Sequence, residues 1–385
     1  MKEKRGLSLI YAIAIVSLTI LLLPPVRGWF HMRGGVRWLH ILLLSMLSSF
    51  LVTPLVKRLA FRFNILDIPD ARKVHTNPTP LMGGIGIYLS FLLSILSNAI
   101  FTKGLIAIVV GGTLVFIISL LDDTRGVSAH IRLLVQFLAT TILILSGVSI
   151  VIFPQVGHGF VANALITYLW VIGITNSVNF FDGMDGLATG LSIIIALFLG
   201  VVAFQTNQPF LGWLSVAILG GCLGFLPYNF GPRRPAEIFL GDCGGTFLGF
   251  TLASLAVMGE WSERSMLASL ATPLLIFSIL IYDMVYITIN RFATGKVHNL
   301  QEWIDYVGKD HLHHRMEALL MSRRKAVLFI YLLAFTLGIN ALVLRDVDTI
   351  HAFLLIAQAV LILTVVSILE IVGNRRERRR EVVQG

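Results

Sequence analysis

Long apolar runs separated by short polar connectors repeat along the whole chain. One helix needs roughly 20 mostly apolar residues to cross hydrocarbon. By that measure twelve candidate spans fall near 7–25, 38–56, 81–101, 104–121, 133–153, 161–178, 187–204, 210–228, 243–259, 266–289, 326–344 and 350–372. The run at 243–259 is short enough to be tilted or partly re-entrant. Such short connectors predict an all-α fold: one polytopic integral membrane bundle of about 11–12 transmembrane helices, not separate domains. Three segments are expected: a signal-anchor helix and connector over 1–37, a membrane domain over 38–372 and a basic tail over 373–385. Lys2, Lys4 and Arg5 precede an apolar run as in a signal peptide, but Leu23–Val26 is no small-residue cleavage site, so a retained helix is predicted.

Composition agrees with this pattern. The 385 residues are 56% hydrophobic and only 13% charged, which excludes an ordinary soluble domain. The net charge of +9 raises nucleic acid as a partner, and its distribution argues against one. With a cytoplasmic N-terminus, alternating spans put 24 of the 30 Lys and Arg residues on the inner side. The outer side keeps Arg27, Arg33, Arg37, Lys103, Arg264 and Arg345. That bias is the positive-inside signal and places both termini in the cytoplasm. The tail RRERRR over 375–380 reads as a stop-transfer and anionic-lipid contact. Cys222 and Cys243 show no spacing for zinc and are not expected to form a disulfide.

Against this background, five stretches put acidic or histidine side chains at the edges of apolar runs, where ionisable groups are costly. They are LLDDTRG (Asp122, Asp123), NSVNFFDGMDGL (Asn176, Asn179, Asp182, Asp185), FLGDCGG (Asp242), LIYDM (Asp283) and DHLHHR (His311, His313, His314, Arg315). On the predicted topology four of them lie at the inner surface, and Asp283 lies within two turns of it. Carboxylates with an amide are hard oxygen donors suited to Mg²⁺, while histidines and arginines donate to anionic oxygens. Each group also has a plain structural reading. The aspartates of DGMDG and Asp242 could cap helices, Asp283 could satisfy a partner inside the bundle, and Lys73 with His75 could be ordinary loop charges. A shared polar site on the cytoplasmic face accounts for all of them together. The stretch HNLQEWIDYVG, with Leu300, Trp303, Ile304 and Val307 at helical spacing, predicts an interfacial helix.

In order along residues 38–345, TPLMGG (79–84), LLDD (120–123), NxxNFxDGxDGL (176–187), GDxGxxFLG (241–249) and HLHHR (311–315) resemble the signatures of the polyprenyl-phosphate N-acetylhexosamine-1-phosphate transferases. HLHH resembles the GlcNAc-type branch more than the phospho-MurNAc-pentapeptide translocase. Residues 1–37 have no counterpart in the pattern. The resemblance implies transfer of a sugar 1-phosphate, GlcNAc-1-phosphate first among the choices, from a UDP-HexNAc to undecaprenyl phosphate with release of UMP. That reaction is the first membrane step of a cell-envelope glycan such as O-antigen or teichoic acid. It also implies Mg²⁺, with Mn²⁺ as a substitute, held by Asp242 and Asn179. Asp122 and Asp123 are expected near the lipid phosphate, and Asp182 and Asp185 on the nucleotide side. His311, His313, His314 and Arg315 are expected near the sugar and diphosphate, and Lys73 among the substrate contacts. A homodimer is a family-level expectation.

Two mechanisms are distinguished: direct attack of the lipid phosphate on the β-phosphorus, and a phospho-aspartate intermediate. A phosphate monoester has a second pKa near 6 and needs little deprotonation at neutral pH, which favours direct attack with Asp123, or in second place Asp122, orienting or deprotonating the acceptor. The alternatives are pentapeptide transfer, a phospholipid-type alcohol phosphotransferase (whose DGxxAR pattern is absent) and a cation- or proton-coupled transporter. A transporter would place its acids near the bilayer midplane.

Overall fold

The structure, a computed structural model, describes residues 2–68, 77–231, 234–262, 266–306, 308, 310–344 and 347–384. Apolar runs fold as helices because hydrocarbon offers no partner for backbone amides, and a helix satisfies them within itself. The chain forms two compact units, Met1–Gly259 and Glu260–Gly385.

The first unit opens with α1 (Lys2–Leu22) and α2 (Pro24–Met32), which meet at a 66° bend. Pro24 and Pro25 cause the break, since neither can donate back into α1. Then follow α3 (Arg37–Arg62), the antiparallel two-residue strands β1 (Leu66–Asp67) and β2 (Thr79–Pro80), α4 (Gly84–Asn98), α5 (Lys103–Arg125) and α6 (Ala129–Leu145). Next come α7 (Gly157–Phe180), a 3-10 turn (Phe181–Gly183), α8 (Leu187–Gln205), α9 (Pro209–Asn229) and α10 (Gly241–Met258). Side-chain hydroxyls of Thr102 and Ser128 start α5 and α6 by accepting the Leu105 and Ile131 amides. The N-terminal segment belongs to this unit: the Tyr11 hydroxyl meets that of Tyr228 at 2.8 Å, and His31 Nε2 contacts Asn98 Oδ1 at 2.9 Å.

Helix α10 is the axis of the first unit. It packs against α4, α5, α7, α8 and α9, and nearly every residue from Cys243 to Ala256 is buried. It is a regular helix, not the re-entrant segment that its short apolar run allowed. Without a hydrophobic drive between helices in lipid, close packing of small residues holds such an element. Gly84 of α4 illustrates this, since a Cβ there would stand 2.3 Å from Gly244 Cα.

The second unit contains α11 (Met266–Ile276), α12 (Ser278–Ala293), α13 (Leu300–Asp305), α14 (Leu312–Leu320), α15 (Arg323–Leu344) and α16 (Thr349–Gln384). The apolar run at 266–289 is not one straight span: α11 and α12 meet at 76°, one turn beyond Pro273. The predicted interfacial helix shortens to α13, with Val307 outside the described residues.

All twelve apolar runs are therefore helical. Among the described residues eight helices are long and apolar enough to span a membrane, or ten if each bent pair is one span. The runs at α4 and α6 are shorter apolar helices of 15 and 17 residues. This is a multi-pass membrane protein.

Gly84→Val should lower the thermal unfolding midpoint in detergent, by overpacking worth about 1–3 kcal/mol. An unchanged midpoint would show that the α4–α10 approach is not tight.

Candidate functional site

In the first unit the carboxylates meet at the amino end of α10. The first amides of a helix lack intrahelical partners, and negative charge there is favoured by the helix dipole. Gly241 N–H donates to Asp182 Oδ2 at 3.1 Å. Asp242 N–H donates to Asp123 Oδ1 at 2.9 Å, and Cys243 N–H to Asp123 Oδ2 at 3.1 Å. Thus Asp123, from the end of α5, and Asp182, from the turn after α7, cap a helix distant from both in sequence. Asp185 takes the Ala236 amide at 2.9 Å, so both DGMDG aspartates hold the segment leading into α10 and not the helix that follows them. Asn229 Oδ1 instead accepts the Gly186 amide at the start of α8.

The TPLMGG segment braces this end from the other side. Phe239 N–H donates to Pro80 O, and the Gly83 and Gly84 amides donate to the Phe239 and Leu240 carbonyls at 2.9 and 2.8 Å. Gly241 sits at φ +78°, and a Cβ there would lie 2.9 Å from Asp123 Oδ2. Only glycine allows both that backbone and that approach. Met82 holds a left-handed backbone at φ 73° beside it, local strain of the kind kept at functional loops.

With its backbone amide held, Asp242 projects its side chain from the helix end, about two-fifths exposed. Its Oδ2 lies 2.9 Å from Arg132 Nη1, and the same nitrogen lies 2.6 Å from Asp122 Oδ2. Asp122 is held in turn by the Val127 amide at 2.6 Å. Arg132 lies in the first turn of α6 and bridges two carboxylates from α5 and α10. Sequence reasoning counted it only as a topology charge; the available signal was a lone cation one turn into an apolar helix that follows LLDD.

Asn179 lies close by. Its Oδ1 is buried and accepts no hydrogen bond, and a Cβ on Gly245 would lie 2.7 Å from that oxygen. A buried amide oxygen left without a donor costs free energy unless something binds it. Asn176 is spent elsewhere, its Nδ2 donating to Gln136 Oε1 at 2.7 Å. Among the described residues no three His, Cys, Asp or Glu side chains form a ready metal cage.

In the second unit the histidine motif begins α14 and is assembled around Asp283 of α12, which is fully buried. Asp283 Oδ2 lies 2.8 Å from His311 Nδ1, and Oδ1 accepts the Leu312 amide at 2.6 Å. Arg315 turns inward: Nη1 lies 3.3 Å from Asp283 Oδ1, Nε donates to Glu370 Oε2 at 2.9 Å, and its guanidinium stacks on Tyr286. Beside it, Arg291 forms a two-pronged pair with Asp310 at 2.8 and 2.7 Å. Burial pushes the Asp310 carboxyl up, but the Arg291 hydrogen bond and charge outweigh it and hold the group below its ordinary range. His313 is buried, whereas His314 keeps part of its surface exposed. Burial first, then the neighbouring His314, His311 and Arg315, hold the His313 imidazole well below its ordinary 6.5.

The residues read from the sequence thus gather in two places. Asp122, Asp123, Asn179, Asp182, Asp185 and Asp242 surround the start of α10 in the first unit. Asp283, His311, His313, His314 and Arg315 form the second unit's cluster. Lys73 and His75 lie outside the described residues. Besides Arg132, sequence reasoning missed Glu370, Asp310 and Arg291; Glu370 was visible only as one acid near the end of an apolar run.

Residues 105–260, which contain all of the first cluster, match glycosyl transferase family 4. Over 311 residues the chain is 34% identical to a Bacillus subtilis protein named as a probable undecaprenyl-phosphate N-acetylglucosaminyl 1-phosphate transferase, covering 79% of this chain and 84% of that one. It is 32% identical over 324 residues to the decaprenyl-phosphate N-acetylglucosaminephosphotransferase of Mycolicibacterium smegmatis, covering 75% and 78%. A phospho-N-acetylmuramoyl-pentapeptide-transferase of Prochlorococcus marinus is 31% identical over 283 residues, covering 64% of this chain and 75% of its own.

The depressed His313 has a consequence for stability. The folded protein binds this proton less readily than the unfolded chain, so its contribution is complete above pH 6.5 and is lost as pH falls towards the folded pKa. Thermal midpoints should drop on acidification below about pH 6.5, and His313→Gln should flatten that drop. An equally steep drop in the variant would assign the effect to another group.

Proposed function

The chain belongs to the polyprenyl-phosphate N-acetylhexosamine-1-phosphate transferases of glycosyl transferase family 4, and we propose that it moves GlcNAc-1-phosphate from UDP-GlcNAc to undecaprenyl phosphate, releasing UMP. The observation that carries this reading is the cluster at the start of α10. Carboxylates, a buried amide oxygen and a guanidinium converge there at the edge of apolar helices. A lipid phosphate must meet a water-soluble nucleotide while its chain stays in hydrocarbon, and such an edge serves both. The charge bias supports a cytoplasmic orientation for this cluster.

In the reaction an oxygen of the lipid phosphate attacks the β-phosphorus of the donor. A new P–O bond forms, the bond from that phosphorus to the bridging oxygen breaks, and its electron pair leaves with UMP. The acceptor is already largely dianionic near neutral pH, so orientation and charge neutralisation carry most of the acceleration. Both Asp123 oxygens hold α10 amides, which supports an orienting role in preference to covalent attack by this carboxylate. Asp122 is assigned to the acceptor end, and Asp182 and Asp185 to shaping the nucleotide end. Arg132 is assigned to the phosphoryl oxygens, where a guanidinium stabilises developing charge. His311 and His314 are assigned to the sugar phosphate, His314 as the more exposed of the two and His311 as a largely buried one, with His313 and Arg315 supporting them.

The first unit's donor set fits Mg²⁺, with Mn²⁺ as a substitute. Asp242 presents a partly exposed carboxylate and Asn179 Oδ1 is buried without a hydrogen bond, a pair that suits an ion taking only one or two protein ligands plus phosphate oxygens. Bound there, the ion would supply neutralisation of the donor diphosphate.

The deciding measurement is a panel of UDP-sugars with undecaprenyl phosphate and Mg²⁺, following UMP and the lipid product by mass spectrometry. UDP-GlcNAc should be turned over, and Asp242→Ala should abolish turnover. No product from any UDP-HexNAc, or solute flux without nucleotide turnover, would overturn the proposal. Arg132→Gln should lower kcat/KM roughly 100-fold, with Arg132→Lys retaining part of the activity. Wild-type kinetics in Arg132→Gln would remove Arg132 from the phosphoryl site.

A further inference from the structure

Asp283 has no part in the reaction as described, yet it is the most elaborately served carboxylate of the second unit. It is fully buried in α12, with His311 Nδ1 at 2.8 Å from one oxygen and the Leu312 amide at 2.6 Å from the other. A carboxylate only accepts, so the proton in the first contact belongs to Nδ1 of His311. The second contact satisfies an orphan amide in the first turn of α14. One side chain therefore sets both the ring and the backbone of the same motif.

A plainer reading makes Asp283 the counter-charge of Arg315. The distances argue otherwise: Arg315 Nη1 stands 3.3 Å from Asp283, while Arg315 Nε has its own carboxylate in Glu370 at 2.9 Å. Glu370 would make Asp283 redundant if neutralising Arg315 were its whole purpose. The order of contacts is instead Glu370 to Arg315 to Asp283 to His311, with Tyr286 under the guanidinium. Glu370 comes from α16, so the last apolar run of the chain supports the histidine motif.

We propose that Asp283 is a positioning residue that holds His311 as the Nδ1–H tautomer, so that any exchange between this ring and a substrate passes through Nε2. The orienting partner of a reactive imidazole works this way in general. The kinetic arm of the test rests on the transferase reading; the tautomer arm does not.

Asp283→Asn separates the tautomer from packing, because it keeps the shape. The Leu312 amide requires an oxygen, which turns the new NH₂ towards Nδ1. Nδ1 must then accept, and the proton moves to Nε2. Nitrogen-15 histidine NMR of the full chain in detergent, about two pH units above the ordinary histidine pKa, reads this directly. His311→Gln identifies the signal. Wild type should show Nδ1–H and Asp283→Asn should show Nε2–H, while Glu370→Gln should keep Nδ1–H. In the transferase assay Asp283→Asn should lower kcat about 100-fold with KM within a few-fold. A wild-type His311 protonated at Nε2 alone overturns the inference, even if the variant does not fold. So does an Asp283→Asn enzyme with the flipped tautomer and wild-type kcat. No wild-type turnover of UDP-HexNAc would overturn the reaction reading instead, with the tautomer result still deciding the inference.

Discussion

The amino end of α10 is the constraint on which the first unit depends. Three successive amides there find two carboxylates from different parts of the chain: Gly241 donates to Asp182, and Asp242 and Cys243 both donate to Asp123. Asp123 arrives from α5 and Asp182 from the turn after α7, so capping one helix fixes the relative positions of three. The same contacts satisfy the carboxylates, which would otherwise be costly to bury. Structure and chemistry are therefore not separable at this point. The groups that close the helix also set the direction in which Asp242 projects.

The cations are used sparingly. Arg132 places one nitrogen between Asp122 and Asp242, compensating two negative charges with one positive. Its own side chain stays partly exposed, within reach of an arriving anion. In the second unit Arg315 and Arg291 are enclosed, each with a carboxylate and an aromatic face. Two arrangements of the same residue type thus separate. A partly exposed arginine near an oxygen without a donor suits a substrate, whereas one wrapped in partners holds a motif in shape. That contrast is why Arg132 is assigned to the phosphoryl oxygens and Arg315 to a supporting role.

The family relationship and the geometry support the proposed reaction in different ways. Similarity over most of the chain identifies the class of transfer, and it includes relatives with different sugar substrates. The geometry speaks to the division of labour: Asp123 is occupied by amides, Asn179 keeps an oxygen without a donor, and His311 is tied to Asp283. A phosphoryl transfer driven by orientation and charge needs such fixed donors more than it needs a strong base.

Much of this was legible in the sequence because its causes are local. Twelve apolar runs became helices, since each run satisfies its own backbone and its length is written in the residues. Costly aspartates and histidines at run edges marked the clusters for the same reason. The two bends were less legible: Pro24 and Pro273 were visible, but the angle a chain takes at a proline depends on what packs around it. Pairings were not legible at all. Arg132 looked like an ordinary inner-side charge, and Glu370 like an isolated acid near the end of the last run. That Asp123 caps α10, that Arg132 joins Asp122 to Asp242, and that Glu370 reaches His311 through Arg315 and Asp283 are facts of tertiary structure. Hydrogen bonds and ion pairs are set by distances of a few ångströms between residues tens to more than a hundred positions apart, which no local pattern encodes.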